Sequence, residues 1–241
     1  MYDYTQALRR SEASRADREQ TEVDIRGETW TILKGVFSPA HHNSSLAQLD
    51  LLEFPVGGSF LEIGSGTGLI AVNAGRAGCR TVWATDLNPE AVRNTALNAE
   101  RFGVADTMTC VQSDLFESLT AAPAFDVVYW HSNNVWVPQD LEIKHIHELA
   151  YVDPGYDAHR RYFAEARKYL APGGRVLIAL SSRAARADLE QLAEKEGQRL
   201  VGVRSAVVEE PEGPVSYDLL EVVPLQGPVS LHSIESRRGH P

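Results

Sequence analysis

The sequence predicts an α/β fold, a doubly wound and mainly parallel sheet covered by helices on both faces. Three observations point there. Between residues 59 and 196, short apolar, β-prone runs alternate with helix-prone runs. The first strand run passes into the next helix through a glycine turn, Gly64-Ser65-Gly66-Thr67-Gly68. Near the end, Glu209 to Pro214 reads as a turn between two adjacent β runs, hence an antiparallel hairpin. The length of 241 residues and hydrophobic content of 43% suit one such domain with a modest appendage.

The elements follow in chain order. Residues 1–27 are charged and free of proline, which is compatible with helix, and their few large apolar groups are Tyr2, Tyr4, Leu8, Val23 and Ile25. A helix so poor in apolar groups must lean on another part of the molecule. Thr29 to Val36 alternates toward strand, Ser38-Pro39-Ala40 breaks it, and Ser44 to Leu52 forms a short helix. Strands are expected at 59–63, 81–85, 108–112, 125–131, 175–181, 199–208 and 215–223, and helices at 69–77, 89–102, 157–170 and 184–196. Asn88 is an N-cap followed by Pro89 at the first helical position. Pro172-Gly173-Gly174 separates the third of these helices from the fifth strand. Residues 227–241 read as a loose tail.

The chemistry concentrates at strand ends. Gly64, Gly66 and Gly68 lack a Cβ, so backbone amides can approach a ligand beside a helix N-terminus. The dinucleotide fingerprint requires glycine at 69, where Leu69 stands. Glu62, just before the turn, repels a diphosphate and attracts an ammonium. The second strand ends in Asp86-Leu87, and Asp86 can accept from two ribose hydroxyls. The third ends in Ser113-Asp114-Leu115-Phe116, where Asp114 can accept from an adenine amino group with Leu115 and Phe116 flanking the base. Glu62, Asp86 and Asp114 together fit the amino acid, ribose and adenine of S-adenosylmethionine (SAM). The candidate cofactor set is Glu62, Gly64, Ser65, Gly66, Gly68, Asp86, Leu87, Asp114 and Leu115.

On these motifs the chain, over roughly residues 35–225, resembles the class I SAM-dependent methyltransferases. The resemblance implies a Rossmann-like seven-stranded sheet of order 3-2-1-4-5-7-6 with the last strand antiparallel. It also implies an N-terminal helical lid over residues 1–40, with a partly frayed tail as the alternative for residues 1–27, a SAM-binding catalytic domain over 41–226 and a tail from 227.

The acceptor belongs at the end of the fourth strand, in His131-Ser132-Asn133-Asn134. The surrounding sequence is most similar to the branch that modifies glutamine side chains or nucleobase amino groups, which carries Asn-Pro-Pro-Tyr or Asn-Pro-Pro-Phe there. None of those four residues is present. The motif holds a planar nitrogen against an aromatic ring, so its loss argues against amide or base N-methylation. His131 is a candidate general base or a structural histidine. Asn133 and Asn134 can orient an amine or carboxylate, or cap the loop, with Asn134 expected to carry the reactive-site specificity. Residues 137–157 form an insertion, whose Tyr151 and Tyr156 can line the acceptor site or face the sulfonium. His145, His147, Glu148 and His159 match no compact zinc spacing, so no metal is expected. His41-His42 reads as a surface pair.

Lys plus Arg number 23 against 33 Asp plus Glu, a net charge of −10, which argues against a nucleic-acid partner. Arg9, Arg10, Arg15 and Arg18 alternate with Glu12, Asp17 and Glu19 as a solvated helix face. Cys79 and Cys110 read as free core thiols in a reducing cytosol. An apolar leader or membrane span is not seen. The expectation is therefore a cytoplasmic methyltransferase of specialised metabolism, with small-molecule partners, no nucleic acid and no membrane. The alternative keeps the same fold. Attack by SAM's own amine on its γ-carbon would release methylthioadenosine and close azetidine-2-carboxylate, making the enzyme a SAM-cyclising lyase.

Overall fold

A computed structural model describes residues 3–16, 21–39, 44–210 and 213–226. The chain runs α1 (Tyr4–Ala16), β1 (Thr21–Ile25), β2 (Glu28–Ile32), α2 (Ser44–Leu51), β3 (Ser59–Ile63), α3 (Leu69–Arg76), β4 (Thr81–Asp86), α4 (Pro89–Arg101), β5 (Met108–Gln112) and β6 (Phe125–His131). It continues with β7 (Val135–Val137), β8 (Val152–Pro154), α5 (Asp157–Glu165), β9 (Leu170–Ser181), α6 (Arg186–Lys195), β10 (Gln198–Glu210) and β11 (Gly213–Pro224). The central sheet has the order β10-β11-β9-β6-β3-β4-β5. Renumbered by core strand, this is the expected 3-2-1-4-5-7-6. β11 alone runs against its neighbours, pairing antiparallel with both β9 and β10.

Burial follows the two-residue period of the strands. Phe60 of β3 joins one apolar cluster with Ile70 and Ala74 of α3 and Leu51 of α2. Its neighbours Leu61 and Ile63 join the other, with Tyr162 and Phe163 of α5 and Leu189 of α6. The sheet is thus covered on both faces, and the carboxyl ends of β3 to β6 are left as the place a ligand can reach. Asn88 caps α4 through a 3.1 Å bond from the Glu90 amide, with Pro89 at the first turn.

Three elements differ from the sequence reading. The N-terminal helix stops at Ala16, and residues 21–25 form a strand where helix was expected. β1 pairs antiparallel with β2 across Arg26-Gly27, whose φ values of 55° and 80° give the primed turn that suits a tight hairpin. The insertion carries strands that the sequence reading did not list, since β7 and β8 form a small parallel ladder with Val135 opposite Val152. The fifth core strand begins at Leu170, five residues early, with Gly174 pressed so close to the Phe125 carbonyl that an added Cβ would lie 2.7 Å from it. The His41-His42 pair, residues 211–212 of the last turn and the tail from 227 lie outside the described residues. No described helix is long and apolar enough to cross a membrane.

Candidate functional site

The strand order reverses between β3 and β6, and in such sheets the crevice opens at that switch point. A cavity of about 430 Å³ lies there. Of the sequence-predicted residues, Glu62, Gly64, Ser65, Gly66, Asp86, Leu87, Asp114, Leu115, His131, Asn133, Asn134 and Tyr151 line it. Gly68 and Tyr156 are not part of its wall.

The glycine turn works through conformation more than through open amides. Gly64, Gly66 and Gly68 all have positive φ, at 68°, 55° and 83°. Three amides of the turn are spent inside the protein. Ser65 N donates to Thr85 O at 2.9 Å, Gly68 N to Ser65 O at 2.8 Å and Gly66 N to Asp86 Oδ2 at 2.9 Å. Gly68 also needs to be glycine sterically, since a Cβ there would sit 3.0 Å from Thr95 Cα. Gly66 would meet nothing within 4 Å.

The three acids differ in state. Glu62 is buried, and its Oε2 accepts from Ala71 N in the first turn of α3 at 2.8 Å. Burial pushes its pKa well above the ordinary carboxylate value; the Ala71 amide opposes this and Asp86 adds to it. Asp86 accepts from Gly66 N and from Asn88 N at 2.8 Å, one bond to each oxygen. A carboxylate has about four lone-pair sites, so roughly two remain, enough for two hydroxyl donors. Burial raises Asp86 to about 6, against the pull of its two amide bonds. Asp114 is partly exposed and gripped by Arg161, at 3.0 Å from Nη1 to Oδ2 and 2.9 Å from Nη2 to Oδ1. Leu115 beside it holds φ at 48°, a strained position for a branched side chain, and such strain clusters at ligand sites. The wall therefore fits SAM in donor and acceptor character from its acidic amino-acid end to its adenine end.

The acceptor side departs further from expectation. His131 lies in the wall, and burial lowers its pKa to about 4. It is therefore an uncharged imidazole at neutral pH and a weak base, not the near-neutral base its type suggests. Asn134 is committed internally: Nδ2 donates to Ser132 O at 3.0 Å, Oδ1 accepts from Ser181 Oγ at 2.8 Å, and its carbonyl accepts from Tyr156 OH at 2.9 Å. Asn133 Nδ2 donates to Leu149 O and Val152 O at 2.9 and 2.8 Å, tying the insertion to the β6 loop. Its Oδ1 is buried without a hydrogen-bond partner. Tyr156 is a buried strut at φ 57°, giving to Asn134 O and taking from Ala185 N at 2.9 Å. Its ring and hydroxyl are used in packing, so it does not line the acceptor site. Tyr151 does line the cavity, with its ring 5.4 Å from Phe37.

Sequence reading missed Arg161, Arg183, Glu210 and Tyr217, and read Arg10 of α1 as part of a solvated face, yet all five line the cavity. Arg183 and Tyr217 both bond Glu210. Arg161 reaches Asp114 and Arg183 reaches Glu210 from 47 and 27 residues away, and no local pattern marks such pairs. Among the described residues no group of three His, Cys, Asp or Glu is placed to hold a metal. His159 instead meets Asp153 at 2.6 Å in the core.

A methyltransferase-domain family model matches residues 61–178. A Methanocaldococcus jannaschii protein bearing the name of a protein N5-glutamine methyltransferase is 31% identical over 163 residues, covering 66% of this chain and 79% of that one. A Gloeobacter violaceus release factor glutamine methyltransferase is 30% identical over 136 residues, covering 52% of this chain but only 46% of its own length. The solved Thermus thermophilus 16S rRNA N2-guanine methyltransferase, with AdoMet and guanosine bound, superposes with a TM-score of 0.56. It is 19% identical, and the match covers 86% of this chain and 50% of that one. Relatives named for protein glutamine and a fold neighbour named for rRNA overturn the expectation of small-molecule partners with nucleic acid excluded. The physical reason is that a net charge is a whole-molecule sum, whereas partners meet local fields. Three arginines line this cavity despite the chain's acidity.

Proposed function

The chain belongs to the class I SAM-dependent methyltransferases with SAM as methyl donor, and from that premise we propose that it methylates a polar acceptor seated between the 131–134 loop and α1. One observation carries this reading. A single cavity joins the three strand-end acids to the polar loop after β6 and to Ala7 and Arg10 of α1.

Bound SAM supplies an electrophilic methyl on a sulfonium. In this reading the chain's own residues bind and orient. Asp86 accepts from the ribose hydroxyls while its amide bonds fix the carboxylate plane. Asp114, steadied by Arg161, would accept from the adenine amino group, with Leu87 and Leu115 of the same wall beside the base. Glu62 would face the ammonium, whose positive charge opposes the burial that raises the pKa of this carboxyl. His131 adds no positive charge beside the sulfonium and accepts a hydrogen bond from the acceptor. With so weak a base, rate comes mainly from holding nucleophile and methyl in line under a roof that excludes water. Cys79 and Cys110, both free thiols, suit a reducing compartment.

The acceptors named for the relatives, protein glutamine and rRNA guanine, are the first to test, even though His131-Ser132-Asn133-Asn134 stands where a planar acceptor would be clamped. The test is product identification by mass after incubation with SAM alone, with a glutamine peptide and with guanosine-containing RNA. S-adenosylhomocysteine that forms only when an acceptor is present supports transfer. Enzyme-dependent methylthioadenosine and azetidine-2-carboxylate from SAM alone would overturn it.

A further inference from the structure

Trp130, near the end of β6, lines the cavity but has no task in the cofactor contacts described above. The strand register sets it beside Ile63, and sets Tyr129 beside Glu62. Side chains alternate across a strand. Ile63 and Trp130 accordingly join one apolar cluster, while Tyr129 joins the other with Phe60. Glu62 and Trp130 therefore reach the cavity from opposite faces of the sheet, at the ends of neighbouring strands.

Trp130 is 5% exposed, and its ring packs on His159 and Tyr162 with centroids 4.7 and 5.1 Å away. The edge turned to Gly64 carries the indole N–H, since a Cβ on Gly64 would lie 3.4 Å from Nε1 and 3.6 Å from Cδ1. Glycine leaves that approach open. Buried indole N–H groups ordinarily find an acceptor. None of the described residues accepts this one. Nor is the nitrogen sealed in the core, as Trp30 Nε1 is. An indole nitrogen can only donate. Beside Gly64 the cavity thus holds a fixed donor, open to an acceptor on a ligand.

SAM carries a charged acceptor at this end. Its amino-acid group is a zwitterion, and Glu62 answers the ammonium alone. Amides of the glycine turn give the carboxylate little, because Ser65 N, Gly66 N and Gly68 N are bonded within the protein. A hydrogen bond to a carboxylate is also stronger than one to a neutral acceptor.

We propose that Trp130 Nε1–H donates to the carboxylate of SAM's amino-acid group, so that Glu62 and Trp130 hold the two charges of that group from the two faces of the sheet. This rests on the reading that SAM binds at the strand ends, and it makes Trp130 the residue that selects the intact amino acid over its decarboxylated form.

S-adenosylhomocysteine and S-adenosyl-3-thiopropylamine differ only by that carboxylate. Each is titrated into the full chain while the indole N–H resonances are followed by NMR, with Trp130 identified through its ring contacts to His159 and Tyr162. The expected result is a saturable downfield shift of the Trp130 N–H with S-adenosylhomocysteine. The decarboxylated ligand should leave it near its free position, and the Trp30 N–H should move little with either. Trp130→Phe keeps a ring and removes the N–H. In calorimetry this variant should bind S-adenosylhomocysteine about tenfold more weakly and the decarboxylated ligand within about twofold of wild type, which also reports that it is folded. Equal weakening of both ligands in a folded variant would overturn the proposal. So would a wild-type Trp130 resonance that answers both ligands alike or neither, and that measurement decides the matter even where the variant fails to fold. A wild type that binds neither ligand would instead overturn the SAM-binding reading, a separate outcome.

Discussion

Asp86 is the residue whose environment makes the sharpest forecast. Its pKa of about 6 lies above the ordinary carboxylate value of 3.8, so acidification protonates it within an accessible range. The proton removes the charge and an acceptor site for ribose. Through this group SAM affinity should fall by up to tenfold per pH unit below about 6. Asp86→Asn should bind more weakly by about 1.5–3 kcal/mol and lose the share of the pH dependence that Asp86 contributes near pH 6. Calorimetry across pH 5 to 8 checks both, and an unchanged slope in the variant would remove Asp86 from the ribose site. His131, lowered to about 4, stays uncharged above pH 6. Turnover by wild type and His131→Gln should thus differ by a constant factor from pH 6 to 9, and a break near pH 6.5 lost in the variant would restore His131 as a general base. Asn134→Ala strands the buried Ser181 hydroxyl and frees the Ser132 carbonyl, a cost of about 1–3 kcal/mol in unfolding measurements. Equal stability in denaturant would show that its bonds matter little. The strand-end acids were legible because topology alone sends strand ends to one place. The states of His131 and Asn134 were not, because a pKa and a bonding partner depend on what the fold packs around them.

At the scale of elements, two asparagines one turn apart on α4 hold the N-terminal segment to the glycine turn. Asn98 accepts from Thr31 N at 3.0 Å and donates to Thr31 O and Thr67 O at 2.9 and 2.8 Å. Asn94 repeats the grip on Leu33 N at 2.6 Å and on Thr31 O at 2.9 Å. Both side chains are fully buried. The β1–β2 hairpin is thereby fastened to the loop beneath the cofactor site, with Trp30 packed among Leu69, Val72 and Ala99. Asn98→Ala takes the side-chain acceptor from the Thr31 amide and leaves the Thr31 and Thr67 carbonyls only their bonds from Asn94, and should cost about 1–3 kcal/mol. It should also weaken SAM binding, because Thr67 sits in the turn. Denaturant unfolding and calorimetry read the two effects separately, and a variant less stable but unaltered in SAM affinity would confine the asparagine to a structural role. In sequence the Asn94 and Asn98 pair was visible at helical spacing, but polar residues at that spacing are usually read as a solvated face. Burial reverses that meaning.

For the molecule as a whole, the sheet was readable because it follows from local signals: alternation of runs, a glycine stop, a hairpin turn. The roof over the cavity was less so, because it is assembled from segments that are weak alone. α1 buries Ala7 and Ser11 against the small β7–β8 ladder, joining Val135, Val137 and Val152 in one apolar cluster with Tyr4 and Leu8. Ser11 Oγ lies 2.9 Å from His147 Nδ1, which ties the helix to the insertion. The ladder is in turn tied to the β6 loop by Asn133. We therefore expect α1, the insertion and the acceptor loop to open and close as one unit. Few apolar groups hold α1, so its local opening should cost much less than global unfolding. A ligand that touches Arg10 and the 131–134 loop together should lower the open population. Hydrogen exchange of residues 4–16 and 135–154 should slow together when S-adenosylhomocysteine is added, by tenfold or more, while the protected core of β3 and β6 changes little. Asn133→Ala should uncouple them, leaving protection of the insertion low while cofactor affinity falls only a few-fold. Exchange of α1 that stays equally fast with and without ligand would make it a fixed appendage with no part in closure.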